Sequence, residues 1–162
     1  NSIMRAVARL ANDDRGVYGR DPYQASRIDS FLDASLVFAR DTQHYLLCLG
    51  SDRLTREIHT QGRDAFTNYL DGIERAMAAG AGFIAGTELT LADICFVAEL
   101  SLFSRERAWR RTIEAIECEP IDWSGFEYAT AHYENLCKHP AFAADLTPFL
   151  EKLAADIKKH AR

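Results

Sequence analysis

The stretch from Leu91 to Phe103 admits only one kind of environment. Ile94, Cys95, Phe96, Val97, Ala98, Leu100 and Leu102 put apolar side chains almost all the way round a helix, and such a helix belongs in the middle of a bundle. Its start is written just ahead of it, in Leu89-Thr90-Leu91-Ala92-Asp93-Ile94. Thr90 stands at the N-cap and Asp93 three residues on, with Leu89 and Ile94 placed to clip the first turn. This is a capping box with Asp in place of the usual Glu, closed by a hydrophobic staple. A buried helix start has no water to satisfy its free N–H groups, so the side-chain cap carries more weight than at a surface.

The rest of the chain reads in the same period. Apolar residues at Ile3, Ala6, Val7 and Leu10 make one helical stripe, with no signal for where that helix begins. A polar, turn-prone segment over 11–21 follows. Asp21 as N-cap and Pro22 at the first helical position open a long helix to about Leu49, stopped by Gly50. Its expected face holds Ile28, Phe31, Leu32, Ser35, Leu36, Ala39, Thr42, Tyr45, Leu46 and Leu49. Ser51 or Asp52 is expected to cap a second long helix to about Ala79, closed by Gly80, with Ile58, Ala65, Phe66, Tyr69, Leu70, Ile73 and Met77 inward. The two make an antiparallel pair.

Further on, a loop covers 81–89 and a break covers 117–125. Arg105, Arg107, Arg110 and Arg111 around Glu106 read as the solvated end of a helix. A helix over about 126–138 turns Ala129, His132, Tyr133 and Leu136 to one side. His139-Pro140 marks a joint, because the residue before proline disfavours the α conformation. A last helix carries Leu146, Phe149, Leu150, Leu153 and Ile157 and ends on Lys158-Lys159-His160, which suits its dipole. Nine Gly and four Pro make about 8% of 162 residues, below the roughly 12% average, so breakers are scarce. No period of two occurs, and the expected class is all-α.

Charge and composition exclude several functions. A net charge of −5 argues against a nucleic-acid binder. No run approaches the roughly 20 apolar residues of a membrane span. Cys48, Cys95, Cys118 and Cys137 show no metal-binding spacing and read as reduced thiols of a cytoplasmic protein. The five histidines are scattered, and no Glu-x-x-His pair of a di-metal bundle occurs, Glu57 lying two before His59. No metal is expected. No nucleophile elbow, zinc-protease motif or phosphate-binding glycine loop is present. The residues by themselves offer no catalytic site.

Ala85-Gly86-Thr87-Glu88-Leu89-Thr90-Leu91-Ala92-Asp93-Ile94 resembles the G-x-x-[ST]-x-A-D capping box of the cytosolic glutathione transferases. A short helix ending in a linker with Tyr18-Gly19, the long helical pair and the late His139-Pro140-Ala141-Phe142 extend the similarity over essentially the whole chain. The resemblance implies the C-terminal helical bundle of such an enzyme. Residues 1–10 would be the last helix of a thioredoxin-like domain, 11–21 an interdomain linker and 22–162 the helical domain. Asn1-Ser2-Ile3 is similar to the tail of the family's Glu-Ser-x-Ala-Ile motif. The Glu and Ser that hold the γ-glutamyl carboxylate and the residue that activates the thiol would then lie outside this chain, which should be inactive alone and prone to aggregate through an exposed docking face.

The resemblance further implies glutathione as co-substrate, a small apolar electrophile as its partner in a detoxifying conjugation, and a homodimer. Asp29 falls where several family members place a carboxylate that reaches the glutathione amino group, across the dimer. A solvated helix Asp is the alternative, and Asp33 competes for the role. Ser35, Phe38, Ala39 and Thr42 would line the electrophile pocket, with Tyr18 at its edge; plain core packing is the alternative. Thr90 and Asp93 carry over as structural residues. Fold does not fix function. A non-catalytic assembly module, as in translation elongation factor subunits and synthetase-associated proteins, is the rival reading.

Overall fold

In a computed structural model the described residues, 1–11 and 16–160 with the His160 side chain left aside, are all-α. Asn12-Asp13-Asp14-Arg15 of the expected linker lie outside that description. The helices are α1 (Ser2–Leu10), α2 (Pro22–Cys48), α3 (Arg56–Ala78) and α4 (Leu91–Phe103). A 3₁₀ segment (Ser104–Trp109) leads into α5 (Arg110–Ala115), and α6 (Glu127–Lys138) and α7 (Pro140–His160) follow. Among the described residues no helix is long and apolar enough to cross a membrane.

The local signals for α2 hold. The Asp21 side chain accepts from the Gln24 N–H, and Pro22 sits at the first helical position. The buried face runs Ile28, Leu32, Ser35, Phe38, Thr42, Tyr45 and Cys48, so Phe38 rather than Leu36 points inward, and Leu36 is exposed. Thr55, not Ser51 or Asp52, caps α3, accepting from the Ile58 N–H. Residues between Leu49 and Thr55 make the turn instead, with Leu54 buried beneath it. Gly80, at φ +75°, ends α3 in the left-handed region that favours glycine.

α4 is the centre. Leu91, Ala92, Asp93, Cys95, Phe96, Val97, Leu100, Ser101 and Phe103 are all buried. Around it α2, α3 and α6 pack into one large core, in which Phe66 stacks on Phe103 at 4.7 Å and Phe38 on Tyr69 at 4.6 Å. A smaller cluster of Ile28, Leu32, Leu91 and Cys95 receives Met4, Ala8, Val17 and Tyr18 from α1 and the linker. The stripe on α1 faces the other way: Ile3, Val7 and Leu10 are 77%, 59% and 84% exposed.

Arg105, Arg107, Arg110 and Arg111 are exposed, as expected of a solvated helix end, but Glu106 among them is not. Glu106 is buried, and its Oε1 accepts from the Tyr45 hydroxyl at 3.1 Å and from the Ile121 N–H at 3.0 Å. It pins the 117–125 break onto α2, while Arg107 covers the Trp123 ring at 4.1 Å. Burial pushes the Glu106 carboxyl up, against the pull of those two hydrogen bonds. Below the ordinary Glu range, about 4.3, folded and unfolded chains both hold the proton. As pH rises the unfolded chain loses its proton first, so stability falls until the folded carboxyl ionises. A Glu106→Gln variant keeps an acceptor oxygen and does not titrate. Its melting temperature relative to that of the parent should rise with pH from about 4.3 upward; equal slopes in the two melting profiles would refute the buried-proton account.

Candidate functional site

Two places gather polar or apolar chemistry around the residues singled out from sequence. The first joins α1, the linker and α2. Asp29 Oδ1 accepts from Arg5 Nε at 2.6 Å, and the Tyr18 hydroxyl lies 2.8 Å from both Asp29 oxygens. Arg5 also reaches Asp33 at 2.9 Å, and Arg9 lies over the Tyr18 ring at 4.8 Å. Burial alone would raise the Asp29 carboxyl, but the Tyr18 hydroxyl and the Arg5 guanidinium outweigh it and hold it below the usual carboxylate range. Tyr18 and Asp29 are thus brought together, in a network that ties α1 to α2 and already occupies the Asp29 oxygens.

The second place is a groove of about 620 Å³ between the middle of α2 and the far end of α4, flanked by the 3₁₀ segment. From α2 come Leu36, Ala39, Thr42 and Leu46; from α4, Glu99 and Leu102; from the 3₁₀ segment, Arg105 and Trp109. Its volume is that of an ordinary small-molecule pocket. Ala39 and Thr42 therefore line a cavity, although the Thr42 hydroxyl is committed to the Phe38 carbonyl at 2.7 Å. Ser35 and Phe38 do not line it. Ser35 is buried with no hydrogen-bond partner for its hydroxyl, and Phe38 is in the core against Tyr69, its edge reaching a smaller cavity of about 230 Å³ between α2 and α3.

Glu99 is the groove residue that the sequence reading passed over. It is half-buried, and among the described residues no hydrogen bond or ion pair reaches its carboxylate. Burial pushes its carboxyl up, against a weaker pull from the chain's amino group. The signal was present: apart from Asp93, Glu99 is the one charged residue in a helix otherwise apolar all round. A charge left in such a helix needs a reason.

The capping box positions both places, because it fixes where α4 begins. Thr90 Oγ1 accepts from the Ala92 N–H at 3.3 Å, and Asp93 Oδ2 accepts from the Thr90 N–H at 2.9 Å. The linker contributes as well, the Val17 carbonyl accepting from the Leu91 N–H at 3.0 Å. Asp93 reaches beyond the box: its Oδ1 accepts from the Ile84 N–H at 3.1 Å and from His132 Nε2 at 2.8 Å. His132 is held there because Glu74 of α3 accepts from the Tyr128 and Ala129 N–H groups and so caps α6 from outside.

Among the described residues no group of three or more His, Cys, Asp or Glu side chains is placed to hold a metal. The four cysteines are free thiols. No protein-family model, curated protein or solved structure matches the chain.

Proposed function

We propose that this chain is the helical domain of a cytosolic glutathione transferase, and that its groove takes the apolar electrophile which the glutathione thiolate attacks. The observation that carries the reading is the groove itself. Two of the residues that the resemblance assigns to the electrophile pocket, Ala39 and Thr42, line it from the middle of α2. The central helix behind it starts at the capping box that motivated the resemblance.

The exposed stripe of Ile3, Val7 and Leu10 supports a second element of the proposal. It offers an apolar face to the remainder of a thioredoxin-like domain, which would bind glutathione and lower the pKa of its thiol, the thiolate being the nucleophile. The helical domain would add the pocket and part of a homodimer interface. In that assembly Asp29 would receive the glutathione ammonium, exchanging its hold on Arg5 or Tyr18 for a charge-assisted hydrogen bond.

The test is a calorimetric titration of the full-length protein with glutathione, with Asp29→Ala alongside. Saturable binding that weakens roughly tenfold or more in Asp29→Ala supports the transferase and the role of Asp29. Binding that ignores the substitution removes Asp29 from the site. A well-folded protein that binds no glutathione rejects the enzyme and favours the assembly module.

A further inference from the structure

The groove between α2 and α4 holds one feature that an apolar electrophile does not use. Leu36, Leu46, Leu102 and Trp109 give it an apolar wall, and Glu99 sets a single carboxylate into that wall. Among the described residues nothing neutralises this carboxylate by contact. A half-buried anion without a partner has given up part of its hydration for no bond in return. The groove therefore gains most from a ligand that brings a cation to this point.

The chain's amino group pulls on Glu99 only from a distance, without contact. Arg40 is turned to Asp41 at 2.7 Å and is 72% exposed. Arg105, also exposed, stands on the rim. Both keep their water, so an anionic ligand meeting them forms a surface pair of small worth. An ammonium meeting Glu99 forms its pair in a drier place, where the same attraction is screened less.

We infer that the α2–α4 groove selects small organic cations, an ammonium group on an apolar body, with Glu99 as the specificity-determining residue. The inference rests on reading the groove as a small-molecule pocket. The cation's body lies along Leu36, Leu46 and Leu102 and its charge against Glu99.

Calorimetric titration of the 162-residue chain with phenylbutylammonium, phenylbutanol and phenylbutyrate separates the two levels of the argument. The three probes share one apolar body and differ in charge. The ammonium should bind about tenfold or more tighter than the alcohol, and the carboxylate no tighter than the alcohol. In Glu99→Gln the ammonium should fall to about the affinity of the alcohol, while the alcohol itself is unchanged, which also reports an intact groove. Alcohol binding with no preference for the ammonium, or a preference that survives Glu99→Gln, overturns the role of Glu99 and leaves the pocket standing. A tighter carboxylate does the same and hands selection to Arg105. Failure of all three probes to bind overturns the pocket reading together with the inference.

Discussion

Replacing Asp93 with Ala is expected to cost about 3–5 kcal/mol, the range for stripping one partner from a buried charged network. The carboxylate is 0% exposed and accepts from the Ile84 N–H, the Thr90 N–H, the Thr90 hydroxyl at 3.1 Å and His132 Nε2. Ala leaves these donors facing one another with no water to turn to. A domain of this kind has about 5–15 kcal/mol in all, so the variant should be partly unfolded or close to it. Thr90→Ala removes only the hydroxyl's share and should cost about 1–2 kcal/mol. Urea denaturation of both variants checks the order. An Asp93→Ala loss below that of Thr90→Ala would mean that the cap, and not the link from α4 to the 81–89 loop and α6, is what stabilises this end. A double-mutant cycle with His132→Ala isolates the α4–α6 link, with a coupling of about 1 kcal/mol or more expected for a hydrogen bond to a charged group.

Gly62→Ala should destabilise by about 2 kcal/mol although it favours the helix. A Cβ at Gly62 would stand 2.7 Å from Tyr45 Cγ and 3.0 Å from Tyr45 Cβ. Those atoms lie near the root of the side chain, and the far end of the ring is held by Glu106. Tyr45 thus has no rotamer to retreat into without giving up that hydrogen bond. Forced overpacking costs up to about 3 kcal/mol, and the gain from Ala over Gly in a helix is about 1 kcal/mol, so the clash wins. Gly72, on the same helix, meets nothing within 4 Å, so Gly72→Ala should stabilise. Opposite signs for the two substitutions, read from thermal melts, are the expected result. Equal stabilisation would show that α2 and α3 separate readily at Tyr45.

The candidate site was only partly legible before folding. Ala39 and Thr42 were named from the middle of α2 and line the groove, whereas Ser35 and Phe38, each four residues earlier, turn into the core. A helical face is read from sequence to within about one residue in angle, roughly 100°, and that is enough to confuse a wall with a core position. Glu99 and Glu106 look alike in sequence. One stands unpartnered in a groove and the other is buried against Tyr45 and Ile121, a difference made by residues far away in the chain.

What the sequence determined by itself was local. The apolar girdle of α4, the Thr90–Asp93 box, Asp21-Pro22 and His139-Pro140 each act through neighbours within a turn of helix, so the residue types alone state the outcome. The face of α6 was equally legible, Ala129, His132, Tyr133 and Leu136 all being buried. The tertiary structure decided the rest. It joined Asp93 to His132 and Tyr45 to Glu106, closed α2 onto α3 at Gly62 and left Glu99 without a partner. These arrangements depend on where whole helices come to rest, and burial and hydrogen bonding between distant segments, not propensity, choose that position.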